Sequence, residues 1–197
     1  MKRFGLIALL CALLLCTACA GTVSFQEYPV KATLSPSSGL KHWSSPEFDF
    51  SFSYDHTWYA VDSTMAVVTL AAPLQDATPG FREYIAFGAF INTENKTAAE
   101  IADEGFTDMQ ALFPLLTLHE SRSVTLSDTP AELRVFGGEV ADDAIGAPGR
   151  YLWHQYTWLT ADVAYSITFS CSETMLEAYL PELELVLSTL VIEPYGN

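Results

Sequence analysis

Positive charge is scarce in this chain: 9 Lys and Arg stand against 24 Asp and Glu over 197 residues. Nucleic acid and anionic lipid headgroups are both held by Lys/Arg clusters, so this surface repels both, and nucleic-acid binding is excluded. The acids are scattered rather than run together, which reads as a solvated surface in preference to a cation site. Reaction motifs are missing too. There is no Gly-x-Ser-x-Gly elbow, no phosphate-cradling Gly-rich loop and no His-Glu-x-x-His zinc helix. His42, His56, His119 and His154 are far apart and make no ligand spacing, so neither a cofactor nor a metal is expected; a metal site would need distant elements to converge. Asp142-Asp143 would need further oxygen ligands to hold Ca²⁺.

What the chain does have begins at its N-terminus. Lys2 and Arg3 precede an apolar run from Phe4 to Leu15, followed by Thr17-Ala18-Cys19-Ala20. A positive start, an apolar middle and small residues at the end make a secretory signal. Cys19 and the small residues before it resemble the lipobox of bacterial lipoproteins, whose thiol is diacylated before cleavage; Cys16 stands where lipoboxes usually carry Leu. This reading makes residues 1–18 a signal peptide and Cys19 the lipid attachment site. The protein is then anchored on the outer side of a bacterial plasma membrane or in the periplasm. Two alternatives stay open. Ala18-Cys19-Ala20 also fits an A-x-A site that releases the protein free. Phe4 to Val23 also reaches the length of an uncleaved span, although Gly21-Thr22-Val23 is weakly apolar.

The cysteines favour the lipid. Cys11 and Cys16 leave with the signal, acylation consumes the Cys19 thiol, and Cys171 closes an apolar strand where it can be buried as a small hydrophobe. A Cys19–Cys171 disulfide is the competing arrangement. Loss of the signal leaves 7 basic residues against 24 acids.

Residues 19–45 lack periodicity and carry Ser35-Pro36-Ser37-Ser38-Gly39 and Ser44-Ser45, which reads as a tether reaching on the order of 25–30 Å, with Trp43 able to pack back. Residues 46–195 suit one domain. Phe48, Phe50, Phe52 and Tyr54 alternate with polar residues, a strand with one covered face. Met65–Ala71 and Tyr84–Ile91 are further strands. Thr97 and Glu100 have capping-box spacing ahead of Ala102, Phe106, Met109 and Phe113, a helix that Gly105 weakens and Pro114 ends. The period then returns to two at Leu116–Leu126 and Ala131–Glu139, with a turn at Ser127-Asp128-Thr129-Pro130. A hairpin follows at Arg150–Thr160 and Val163–Cys171 about Ala161-Asp162. Thr174 and Glu177 form a second capping-box pattern before a Leu/Val stripe, whose helix is expected to start at Pro181. Strands, helix, strands, helix give an α+β domain with a largely antiparallel sheet.

Four phrases of this order resemble the PsbP/DcrB-like family: Phe48–Tyr54 followed by Trp58, Thr129-Pro130-Ala131, the hairpin from Tyr151 to Phe169, and Ala178-Tyr179-Leu180-Pro181 through Leu190. The resemblance implies a single α/β/α sandwich with two main helices, often in a lipoprotein. It also implies a non-catalytic accessory role with no active-site motif to carry across.

The stretch Tyr151–Trp158 stands out. Alternation places Trp153 with Tyr151 and Gln155 on one face, and His154 with Tyr156 and Trp158 on the other. Packing explains it best; the competing reading is an aromatic ligand face formed by Trp153, His154, Tyr156 and Trp158. The expected function is protein–protein interaction at the cell envelope by a membrane-anchored, non-catalytic domain. The alternatives are small-ligand or carbohydrate binding on that face, and an unrecognised hydrolase.

Overall fold

A computed structural model of the chain describes residues 39–45, 47–61, 66–73, 81–140 and 148–193. The expected signal, Cys19, most of the expected tether and Asp142-Asp143 lie outside these residues. Period-two patterning becomes strand. β1 spans Leu40–Ser45 and β2 spans Phe50–Asp55, which buries Phe50, Phe52 and Tyr54 and turns the residues between them away. β1 was expected to be tether, and the domain therefore starts earlier. It pairs antiparallel with β2 from Leu40 opposite Asp55 to Ser45 opposite Phe50. Only Trp43 of its six side chains is buried, so no alternation marks it in the sequence. The Trp43 ring lies 5.2 Å from Phe50 and 5.3 Å from Phe52.

The large sheet is assembled from β3 (Tyr59–Val61), β4 (Val68–Ala71), β5 (Tyr84–Ile91), β6 (Leu116–Leu126), β7 (Thr129–Val140), β8 (Gly149–Thr160) and β9 (Val163–Ser172). Every neighbouring pair is antiparallel, in the order β3-β4-β5-β9-β8-β7-β6. The β6–β7 turn needs only Ser127 and Asp128, both at positive φ (47° and 64°), so Thr129 and Pro130 already belong to β7.

Helix α1 (Ala98–Leu112) opens on the expected capping box: the Glu100 amide donates to Thr97 Oγ1 at 3.2 Å and the Thr97 amide to Glu100 Oε2 at 2.8 Å. Replacing Thr97 by Ala is expected to cost about 1 kcal/mol, read as a lower urea midpoint at unchanged slope. Gly105 weakens the helix for a reason. A Cβ there would stand 2.8 Å from Gln155 Nε2, so glycine lets α1 approach β8.

Helix α2 (Leu176–Thr189) follows a 3₁₀ turn at Glu173–Met175, and β10 (Val191–Ile192) ends the described chain. Two expectations fail here. Met175, not Thr174, is the N-cap and makes no side-chain cap, and the helix runs through Pro181 instead of starting there. Pro181 is exposed, so the carbonyl its ring leaves free can face water, while Tyr179, Leu183 and Val186 anchor the helix by burial. β10 joins the other side of β2, completing a small sheet in the order β1-β2-β10.

The seven-stranded sheet is the middle layer of this α+β domain. On one face α1 packs over β7 and β8 around Met109, Phe113, Phe136 and Trp153. On the other, α2 and the small sheet enclose the larger core. There Phe52 stacks on Phe87 with centroids 4.2 Å apart and rings 1° from parallel.

Candidate functional site: the two faces of strand β8

β8 carries the residues singled out in the sequence, and strand alternation divides them between unlike environments. On the α1 side, Trp153 is fully buried and stacks between Phe136 (5.8 Å, 12°) and Phe113 (6.1 Å, 16°). Its neighbours on this face are polar. Gln155 lies opposite Thr168, and Thr157 opposite Ser166. Gln155 Oε1, Thr157 Oγ1, Ser166 Oγ, Thr168 Oγ1 and Ser170 Oγ are buried without a hydrogen bond, as are Trp153 Nε1 and Asp108 Oδ2. Burial, with the Glu104 charge behind it, raises the Asp108 carboxyl above the ordinary carboxylate range. Each orphaned group costs on the order of 1–3 kcal/mol. Thr157→Val, isosteric at a fully buried position, is therefore expected to raise stability by about 1 kcal/mol in urea denaturation.

An ion-pair network closes this layer on the β7 side. Arg134, buried on β7, donates from Nε to Asp103 Oδ1 (2.8 Å) and from Nη1 to Glu132 Oε2 (3.0 Å). Ser123 Oγ donates to Glu132 Oε1 (2.7 Å), and these bonds hold the Glu132 carboxyl below its usual range despite burial. Sequence reasoning missed the network because Asp103 and Arg134 are 31 residues apart.

The opposite face is more open. Trp158 is 1% exposed and stacks on Tyr165 (5.3 Å, 9°), so it belongs to the core. His154 and Tyr156 are half-buried. The His154 ring meets Phe169 edge-on at 5.8 Å, and burial lowers its pKa while the Glu120 charge opposes that shift. Burial also pushes the Tyr156 phenol up; Arg122, Glu120 and Glu184 all act on it. Strand register sets Glu120, Val135 and His154 in one row across this face and Arg122, Leu133 and Tyr156 in the next, so the pair forms a strip flanked by the Glu120–Arg122 ion pair of β6. An imidazole, a phenol and two opposite charges beside the apolar ring of Phe169 suit hydrogen-bonded docking of a partner surface.

Cys171 is buried, free and pushed up to about 12 by burial. It is expected to stay unlabelled by a thiol reagent at pH 8 until the protein is unfolded; labelling of the native protein would show it to be accessible. Among the described residues no three His, Cys, Asp or Glu converge as metal ligands, and no helix is long and apolar enough to cross a membrane.

The layers and strand order define a PsbP-like fold. The chain is similar to cyanobacterial PsbP (CyanoP) from Synechocystis sp. PCC 6803 at a TM-score of 0.61 and 11% identity, over 84% of this chain and 100% of that one. It is similar to LpqN, involved in cell envelope biogenesis of Mycobacterium tuberculosis, at 0.57 and 11% over 80% and 93%. It also resembles PA94 of Pseudomonas aeruginosa, a protein of unknown function, at 0.52 and 11% over 80% and 99%. At this identity the likeness is one of fold. Compared by sequence, the chain matches no family model and no curated protein.

Proposed function

We propose that this chain is an exported lipoprotein whose PsbP-like domain is a non-catalytic binding module, anchored through Cys19 and docking an envelope protein partner on the His154–Tyr156 strip. The observation that carries the reading is the fold shared with CyanoP and with LpqN, which is involved in cell envelope biogenesis. The N-terminal signal and lipobox-like Cys19 agree with that setting. Anchoring adds local concentration beside membrane-bound partners, an effect that needs no chemistry.

Small-ligand or carbohydrate capture is the second reading. It now rests on His154 and Tyr156, since Trp153 and Trp158 are occupied in the two cores. The hydrolase reading required His154 to meet a carboxylate and a hydroxyl in a cleft; among the described residues no hydrogen bond joins His154 to either, and its ring packs edge-on against Phe169.

The test is a pull-down from membranes with three proteins. The wild type is expected in the membrane fraction with its partner. Cys19→Ser is expected in the soluble fraction without it, and Tyr156→Ala in the membrane fraction, also without it. Full partner recovery by Tyr156→Ala would remove the strip from the proposal.

A further inference from the structure

β6 ends the seven-stranded sheet, and among the described residues no strand pairs with its outer side. It is 11 residues long and exposed over most of its length, an open row of amide donors and carbonyl acceptors. Ser121 is its middle residue, flanked by the opposite charges of Glu120 and Arg122.

We propose that β6 is a self-association edge, on which a second copy of this chain adds its own β6 antiparallel about a two-fold axis through Ser121. Charge complementarity selects this occupant. Glu120 and Arg122 lie opposite Val135 and Leu133 of β7, hence on one face, and already pair within the chain. A two-fold axis perpendicular to the sheet keeps that face up in both copies. Each Glu120 then stands directly across from an Arg122 of the second copy, and the four charges alternate in sign. Opposite charges in directly facing positions stabilise an antiparallel pair, and like charges there destabilise it. An isologous contact of this kind closes at two subunits.

The register shift between Leu118 and Glu120 gives β6 one extra residue against β7. That bulge ends the regular ladder on one side of Ser121, and symmetry ends it on the other, so the new ladder is short and depends on its central pairs. This places Ser121 of both copies side by side and sets Ser123 of the two copies several residues apart.

Single cysteines placed along β6 of the full-length protein, followed by mild oxidation and non-reducing electrophoresis, test the register. Ser121→Cys is expected to give covalent dimer well above both Ser123→Cys and the unsubstituted chain, which controls for the native cysteines. Facing residues of an antiparallel pair fall within disulfide reach, and residues four positions out of register do not. In the same background Glu120→Arg is expected to weaken the dimer about tenfold by facing Arg against Arg, and the exchanged pair Glu120→Arg with Arg122→Glu is expected to restore it. Circular dichroism confirms that each variant folds. Equal cross-linking at Ser121 and Ser123, no cross-linking above the control, or a double exchange no better than Glu120→Arg alone, would each overturn the proposal.

Discussion

Trp153→Ala is expected to lose about 3–5 kcal/mol of unfolding free energy, and His154→Ala, one residue on, less than about 1. The indole is completely buried and stacked between rings from α1's C-terminal end and β7, so its removal leaves a cavity and releases Phe113 from the sheet. The imidazole is half-buried against Phe169 on the more open face. Urea denaturation measures both losses. Equal losses would mean that β8 is packed alike on its two faces, against the layered arrangement described.

The second large effect is a pH dependence set by Glu182. This residue of α2 is 7% exposed, yet the Asp55 amide donates to its Oε1 at 2.9 Å, two residues along β2 from the Ser53 amide that donates to Thr189 Oγ1. Helix side chains thus satisfy the β2 edge where β10 no longer covers it. Burial is the main cause that raises the Glu182 carboxyl to about 7; the Asp55 charge adds to it and the Asp55 amide opposes it. The folded protein therefore holds this proton over a range in which the unfolded chain has released it. The stability so gained is complete below about pH 4.5 and is lost as pH rises through about 7, a change on the order of 3 kcal/mol. Asp55, Glu100 and Glu132 are shifted down and act in the opposite direction at lower pH. The informative quantity is consequently the difference between wild type and Glu182→Gln, whose amide oxygen can still accept from Asp55. That difference is expected to move in favour of Gln by roughly 2–3 kcal/mol between pH 4.5 and 8 in parallel urea titrations. A difference that does not vary with pH would show that Glu182 ionises freely in the folded protein.

Most of the architecture was legible because single-faced burial leaves a period. β2 and α1 announce themselves by inward residues at regular steps, β9, buried on both faces, by one apolar and one polar face, and the Thr97–Glu100 cap marks its helix start to the residue. β1 was hidden because it buries one side chain, and β10 because it is two residues long. α2 was misread at Pro181, where tertiary burial outweighs a local preference. The candidate site was only half legible. Alternation divided Trp153 from His154 and Tyr156 correctly, but it does not say which face a helix will seal or that the other helix will bring Glu184 beside Tyr156. The Arg134–Asp103–Glu132 network and the Glu182–Asp55 bond join residues far apart in sequence, and no spacing rule reaches them.

The proposed docking at the envelope requires Cys19 to hold this domain at a membrane. Mass spectrometry of the mature protein's N-terminal peptide tests that directly. A peptide beginning at Cys19 and carrying acyl chains on its Sγ is predicted. An unmodified peptide beginning at Gly21 would contradict it and make the protein a freely released one.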